Sequence, residues 1–107
     1  MSDISTTYSE NDQTLTIHVA GRFEFSLRSE FRDCYQGFPK TPKRYIVNMQ
    51  DVNYIDSTGL GMLLLLRDHA GGKKDSVSIQ GCNNAIKKTL ETVKFQDLFD
   101  IHAASTA

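Results

Sequence analysis

Between residues 14 and 21 the chain reads TLTIHVAG, in which Leu15, Ile17 and Val19 alternate with Thr16 and His18. A period of two sends successive side chains to opposite faces and predicts a half-buried strand. Residues 4–8 carry a weaker form of the same pattern and predict a first strand, with Asn11 and Asp12 at the turn between the two. From Leu27 the period changes. Leu27, Phe31, Cys34 and Tyr35 fall at i, i+4, i+7 and i+8, one face of a helix that Ser26 is placed to cap and Gly37 to end. Pro39 and Pro42 mark a loop. RYIVNM, from Arg44, is apolar and β-branched and reads as a strand buried on both faces. A helix over about 57–69 follows, closed by Gly71 and Gly72. SVSIQG, residues 76–81, alternates again. NNAIKKTLETV predicts a helix capped by Asn83 or Asn84, with Ala85, Ile86, Leu90 and Val93 facing inward. LFDIHA predicts a last short strand.

Strand–helix alternation of this kind implies an α/β fold: a mixed sheet of four to five strands, joined by right-handed crossovers and layered with about three helices. The 107 residues suit one domain, 1–107, with frayed ends over about 1–3 and 103–107. A chain of this length buries roughly 60–70% of its unfolded surface. Composition adds no second domain: 39% hydrophobic and 23% charged is ordinary for a globular chain, without repeats or low-complexity tracts.

Charge excludes more than it suggests. The net charge is −1, and the basic residues are scattered: Lys40, Lys43 and Arg44 are interrupted by Thr41 and Pro42, and Lys73–Lys74 and Lys87–Lys88 are isolated pairs. That pattern argues against nucleic acid as a partner. The apolar run from Met62 to Leu66 is far too short to span a bilayer. The opening MSDISTTYSEND is polar and acidic, unlike a signal peptide, so a cytoplasmic protein is expected. Cys34 and Cys82 lie far apart without metal-ligand spacing and read as reduced, packed thiols. No metal and no cofactor is expected.

The candidate chemistry sits at one junction. VNMQDVNYIDSTGLGMLLLLRDHAGG passes from a strand to a helix through Asp56, Ser57, Thr58, Gly59, Leu60 and Gly61. In α/β layers, ligands and partners gather where the carboxyl end of a strand gives way to a helix. Asp56 is placed to accept from the N–H of Thr58 or Gly59, leaving the Ser57 hydroxyl outward at the lip of the helix. Each glycine inside a helix costs about 1 kcal/mol relative to alanine. Gly59 and Gly61 therefore imply either close approach of another molecule or tight packing on the sheet. The helix is also too apolar for one buried face. Leu60, Leu63 and Leu64 form one stripe, with Met62, Leu65, Leu66 and His69 beside it. Either neighbouring helices cover the second set, or it is a docking face with Met62 as an adaptable contact.

Enzymatic readings fit poorly. A nucleophile elbow needs G-x-S-x-G, and Ile55 stands where the first glycine should be. Nothing in the sequence brings His18, His69 or His102 to Ser57. Gly71-Gly72-Lys73-Lys74 lacks P-loop spacing. The first long strand ends in Ala20-Gly21 rather than the acidic pair of a phospho-aspartate receiver, and no His/Cys/Asp cluster has metal spacing.

D-S-T-G-L-G after an apolar strand and before a Leu-rich helix resembles the STAS domain of bacterial anti-sigma factor antagonists. VAGRFEF resembles that family's second-strand exit, and LETVKFQDLFDI its passage from the third helix to the final strand. The resemblance implies a phosphoprotein in a partner-switching pathway of transcription regulation, not an enzyme. Ser57 would be phosphorylated by an anti-sigma factor acting as a serine kinase, and a PP2C-type phosphatase would remove the phosphate. Partner contacts would fall on Glu24, Asp56, Ser57, Thr58, Gly59, Leu60, Gly61, Met62 and Leu65. Glu24 stands where the family commonly has aspartate. The chain ends IHAASTA, where family members usually carry a full helix, so a shortened C-terminal helix is expected. A monomer when free is the accompanying expectation. A STAS accessory subunit of a non-sigma pathway, or of a lipid-transport complex, is the alternative.

Overall fold

The fold was read from a computed structural model, which describes residues 3–104. Five strands lie in one sheet in chain order: β1 (Ile4–Ser9), β2 (Thr14–Phe23), β3 (Arg44–Ile55), β4 (Val77–Cys82) and β5 (Asp100–Ala103). β1 and β2 form an antiparallel hairpin, with Tyr8 opposite Leu15 and Ile4 opposite Val19. Every later neighbour is parallel: Ile17 lies beside Val47, and Val47 beside Ile79. The parallel steps need crossovers, supplied by α1 (Arg28–Gln36), α2 (Ser57–His69) and α3 (Asn84–Thr92). Because the strands advance in one direction, crossovers of one hand lay all three helices on the same face.

That face holds the core. Leu15, Ile17 and Val19 of β2, Val47 and Met49 of β3 and Val77 and Ile79 of β4 are almost fully buried beneath Phe31, Leu63, Leu66, Ile86 and Leu90 of the helices. Phe23, Phe31 and Tyr35 form a chain of tilted rings with centroids 5.1 and 5.9 Å apart. The opposite face carries Thr14, Thr16, His18, Asn48, Ser78, Gln80 and His102, and among the described residues no helix lies over it. β3 is therefore not buried on both sides as its apolar run suggests. Tyr45, Val47 and Met49 go inward, while Arg44 is exposed and Ile46 and Asn48 are half-buried. β3 is also twelve residues long, and its extension past Met49 carries the chain to the start of α2.

Local chemistry explains most helix limits. The Asn83 carboxamide caps α3, accepting from the Ile86 N–H at 2.8 Å. Ser26 does not cap α1: it lies inside a 3-10 turn, Phe25–Leu27, and α1 begins without a side-chain cap. Gly71 and Gly72, at φ of 105° and 78°, turn the chain out of α2 through backbone conformations open to glycine. In α3 only Ile86 and Leu90 are buried. Ala85, a quarter-turn off the Ile86/Leu90 face, is exposed, and Val93, just past the helix end and before the left-handed residue Lys94, is 45% exposed. Cys82 is packed in the core. Cys34 is only half-buried, its thiol donating to the Glu30 carbonyl at 3.3 Å. At the termini the Asp3 carbonyl accepts from Ala20 and the Ala104 N–H donates to Cys82. The remaining expectations for the chain ends, including a shortened C-terminal helix, lie outside the described residues.

Candidate functional site

β2 and β3 end side by side, Phe23 beside Ile55, and the chain turns from Ile55 through Asp56 directly into α2. Asp56 is extended, and its carboxylate accepts from the Gly59 N–H at 2.9 Å while its carbonyl accepts the first helical bond from Leu60 at 3.0 Å. This is the predicted cap, made to the Gly59 N–H. Ser57, first residue of the helix, is exposed, and among the described residues its hydroxyl has no partner. Thr58, next along, is half-buried.

The two glycines divide the two explanations between them. A Cβ built on Gly59 would stand 2.3 Å from the Phe23 carbonyl oxygen and 2.8 Å from Ile55 Cγ1, so this residue is glycine because α2 is pressed onto the ends of β2 and β3. A Cβ on Gly61 would meet nothing within 4 Å. The fold gives Gly61 no packing return for its helix cost.

Gly59 also sets the rotation of α2. At about 100° per residue, Gly59, Met62, Leu63 and Leu66 share one side, and these are the buried residues. Ser57, Gly61, Leu64 and Asp68 line the opposite side. Leu64 and Leu65 are 38% and 59% exposed, and Leu60 is half-buried. The stripe of Leu60, Leu63 and Leu64 is therefore not the one that meets the sheet. Met62, expected as an adaptable surface contact, is 4% exposed and belongs to the core, and Gly59 is a packing residue. Leu65 and Gly61 do stand in the open.

Glu24 follows the end of β2, half-buried, its carboxylate held by Arg22 Nε at 3.1 Å. The Arg22 guanidinium lies 3.8 Å from the centre of the Tyr54 ring, in register with it on β3. Next to Glu24, Phe25 is 62% exposed, with the Arg28 guanidinium 4.8 Å from its ring centre. Sequence reading passed over Arg22, Phe25, Arg28 and Tyr54. The available signal was a bulky apolar residue directly after an acid at a strand exit, where a turn is ordinarily polar.

The histidines do not converge on Ser57. His18 lies on the helix-free face between Thr7 and Asn48, at 3.1 and 3.4 Å. His69 is at the far end of α2, about 18 Å along the helix axis, against the rings of Tyr35 and Tyr45. His102 is on β5 and pairs with Asp100 at 3.2 Å. A concavity of about 790 Å³ lies on the helix-free face between Thr16, Ile46, Ser78 and Gln80. Ser57 does not line it. Among the described residues no group of three His, Cys, Asp or Glu side chains is placed to hold a metal ion, and no helix is long and apolar enough to cross a membrane.

A small α/β module whose second helix shows a partly apolar outer face, with a hydroxyl unpartnered among the described residues at its start, is the class that the fold defines. The chain belongs to the STAS-domain family: the family described as "Mlab, STAS domain" matches residues 6–100. A STAS-domain containing protein of Pseudomonas aeruginosa (strain UCBPP-PA14) is 45% identical over 93 residues, covering 87% of this chain and 92% of that protein. Among solved structures, an anti-sigma factor antagonist from Mycobacterium paratuberculosis superposes with a TM-score of 0.72 at 16% identity, covering 92% of this chain and 85% of that one. A sulfate transporter family protein from Wolinella succinogenes gives 0.72 at 16%, with 90% and 80% covered. The anti-sigma factor antagonist SpoIIAA in its unphosphorylated form gives 0.65 at 15%, with 96% and 89% covered. These likenesses establish a single STAS fold with a five-stranded mixed sheet and three helices.

Proposed function

We propose that this chain, residues 1–107 acting as one cytoplasmic STAS domain, is an anti-sigma factor antagonist controlled by phosphorylation of Ser57. Unphosphorylated and monomeric when free, it binds a kinase-type anti-sigma factor. Phosphorylation releases that partner, and a PP2C-type phosphatase restores binding. The chain is the substrate of these enzymes and catalyses nothing itself. One observation carries the reading: Ser57 is exposed, its hydroxyl without a partner among the described residues, at the head of the same helix line that presents Gly61 and Leu64, with Leu65 beside it.

The energetics have the required sign. A phosphate adds about −1.5 to −2 charges. Asp56 is fixed beside it by the Gly59 N–H and cannot turn away without giving up the helix cap. The new charge thus meets a like charge at the edge of an apolar contact that must be desolvated on docking. A loss of about 3 kcal/mol weakens affinity more than a hundredfold. The fold need not change.

The test uses Ser57→Ala as affinity bait, then calorimetric titration of the captured kinase-fold protein against Ser57→Ala and Ser57→Asp. Tight binding by the first and at least about a hundredfold weaker binding by the second is expected. Equal affinities would refute the switch. A second reading, an accessory subunit of a transport complex or of a non-sigma pathway, is favoured by the likeness to the sulfate transporter family protein. It would use the same helix face without a phosphate, so absence of phosphate on Ser57 after incubation with ATP and cell extract would favour it.

A further inference from the structure

We propose that the docking face continues from the start of α2 over Phe25 and Tyr54, and that the partner meets it with an acidic, apolar segment whose carboxylates are taken by Arg28 and Arg22. The inference deepens the functional reading above and rests on it for the location of the face.

Both rings border the start of α2. Phe25 is two residues beyond Phe23, at most about 7 Å away by backbone geometry, and the Phe23 carbonyl lies directly against Gly59. Tyr54 is two residues before Asp56. Each ring carries an arginine over its face. A guanidinium held over an aromatic ring gives up none of its N–H donors to the ring face, and its fork geometry matches a carboxylate. Arg28 makes no ion pair among the described residues. Arg22 gives its Nε to Glu24 and keeps its terminal nitrogens.

The carboxylates at this face are already engaged. Glu24 is held by Arg22, and Asp56 by the Gly59 N–H. With the Asp56 carboxylate turned to the helix cap, the donors left open on the patch are the Arg28 guanidinium and the Arg22 terminal nitrogens, set on an aromatic background that fits carboxylates placed among apolar side chains. Glu24 then aligns Arg22 rather than waiting for a cation from the partner. The switch agrees in sign: a phosphate on Ser57 repels an acidic segment, whereas it would attract a basic one.

The experiment is a nitrogen-15 NMR titration of the full chain with two synthetic peptides of equal length and apolar content, one Glu/Leu-rich and one Lys/Leu-rich. The Glu/Leu peptide is expected to shift the resonances of Phe25, Arg28, Tyr54 and the Arg22 side chain. Arg28→Glu should weaken that binding about tenfold, and Phe25→Ser should weaken it as well. Both side chains are exposed, so a thermal melt matching that of the unmutated chain serves as the folding control. Equal or tighter binding of the Lys/Leu peptide, or shifts confined to other parts of the sheet, would overturn the proposal. Peptide binding lost in Ser57→Asp supports both readings. Binding retained in Ser57→Asp at the same two rings supports this one and sinks the switch.

Discussion

Gly59 and Gly61 are two residues apart in one helix and lack a side chain for opposite reasons. At Gly59 a methyl group has nowhere to go, because backbone rather than a flexible side chain stands in its way. Gly59→Ala should destabilise the fold by about 1–3 kcal/mol, measured as a lower urea midpoint. At Gly61 the methyl enters open space, and alanine removes the conformational freedom that glycine gives the unfolded chain. Gly61→Ala should raise stability by up to about 1 kcal/mol. It should nevertheless weaken docking, because the methyl stands on the line between Ser57 and Leu64. Parallel denaturation and partner titration of the two variants separate these roles, and undiminished docking by Gly61→Ala would remove that residue from the contact.

At the scale of elements, α2 shows why an all-apolar helix defeats periodicity. With leucine or methionine at five successive positions, 62–66, no polar residue marks the outside. The closest backbone approach, at Gly59, decides the rotation instead. Leu63 then falls fully inward and Leu65 outward. Leu63→Ala should cost about 2–5 kcal/mol. Leu65→Ala should change stability by less than about 0.5 kcal/mol, with its effect appearing in partner affinity. The two side-chain caps make a matched pair. Asp56→Ala and Asn83→Ala should each cost about 1 kcal/mol, but only the first stands beside Ser57 and should alter docking. Equal docking by both cap variants would show that the geometry of the α2 start does not matter to the partner.

For the whole molecule, one helical layer over one face of the sheet leaves a single core, and several titratable groups are caught at its border. Burial pushes the Tyr35 and Tyr45 phenols above their ordinary value of 10.0 and the Cys82 thiol above its ordinary 9.0. Desolvation, aided by Glu30 and Asp33, does the same to Cys34. A group whose pKa is higher folded than unfolded contributes stability that is intact below the unfolded value and lost as pH rises through the folded one. The urea midpoint should therefore show no loss from these groups at neutral pH and should fall as pH rises above about 9 to 10. Tyr35→Phe should make that fall shallower. An unchanged alkaline slope in Tyr35→Phe would assign the loss to other groups.

The sequence by itself determined the order of elements, the α/β class, the Asp56 cap and the outward Ser57. Each follows from interactions within a few residues: alternation in β2, the i, i+4 face of α1, a carboxylate reaching three residues forward. It did not determine the side of α2 that meets the sheet, the bare face of β3, the exposure of Val93, or the arginine-capped rings of Phe25 and Tyr54. Those depend on how separate elements lie against one another, and no local period encodes that. Tertiary structure decided them, because the pressure of α2 on the Phe23 carbonyl fixed one rotation and the one-sided crossovers left one face of the sheet uncovered.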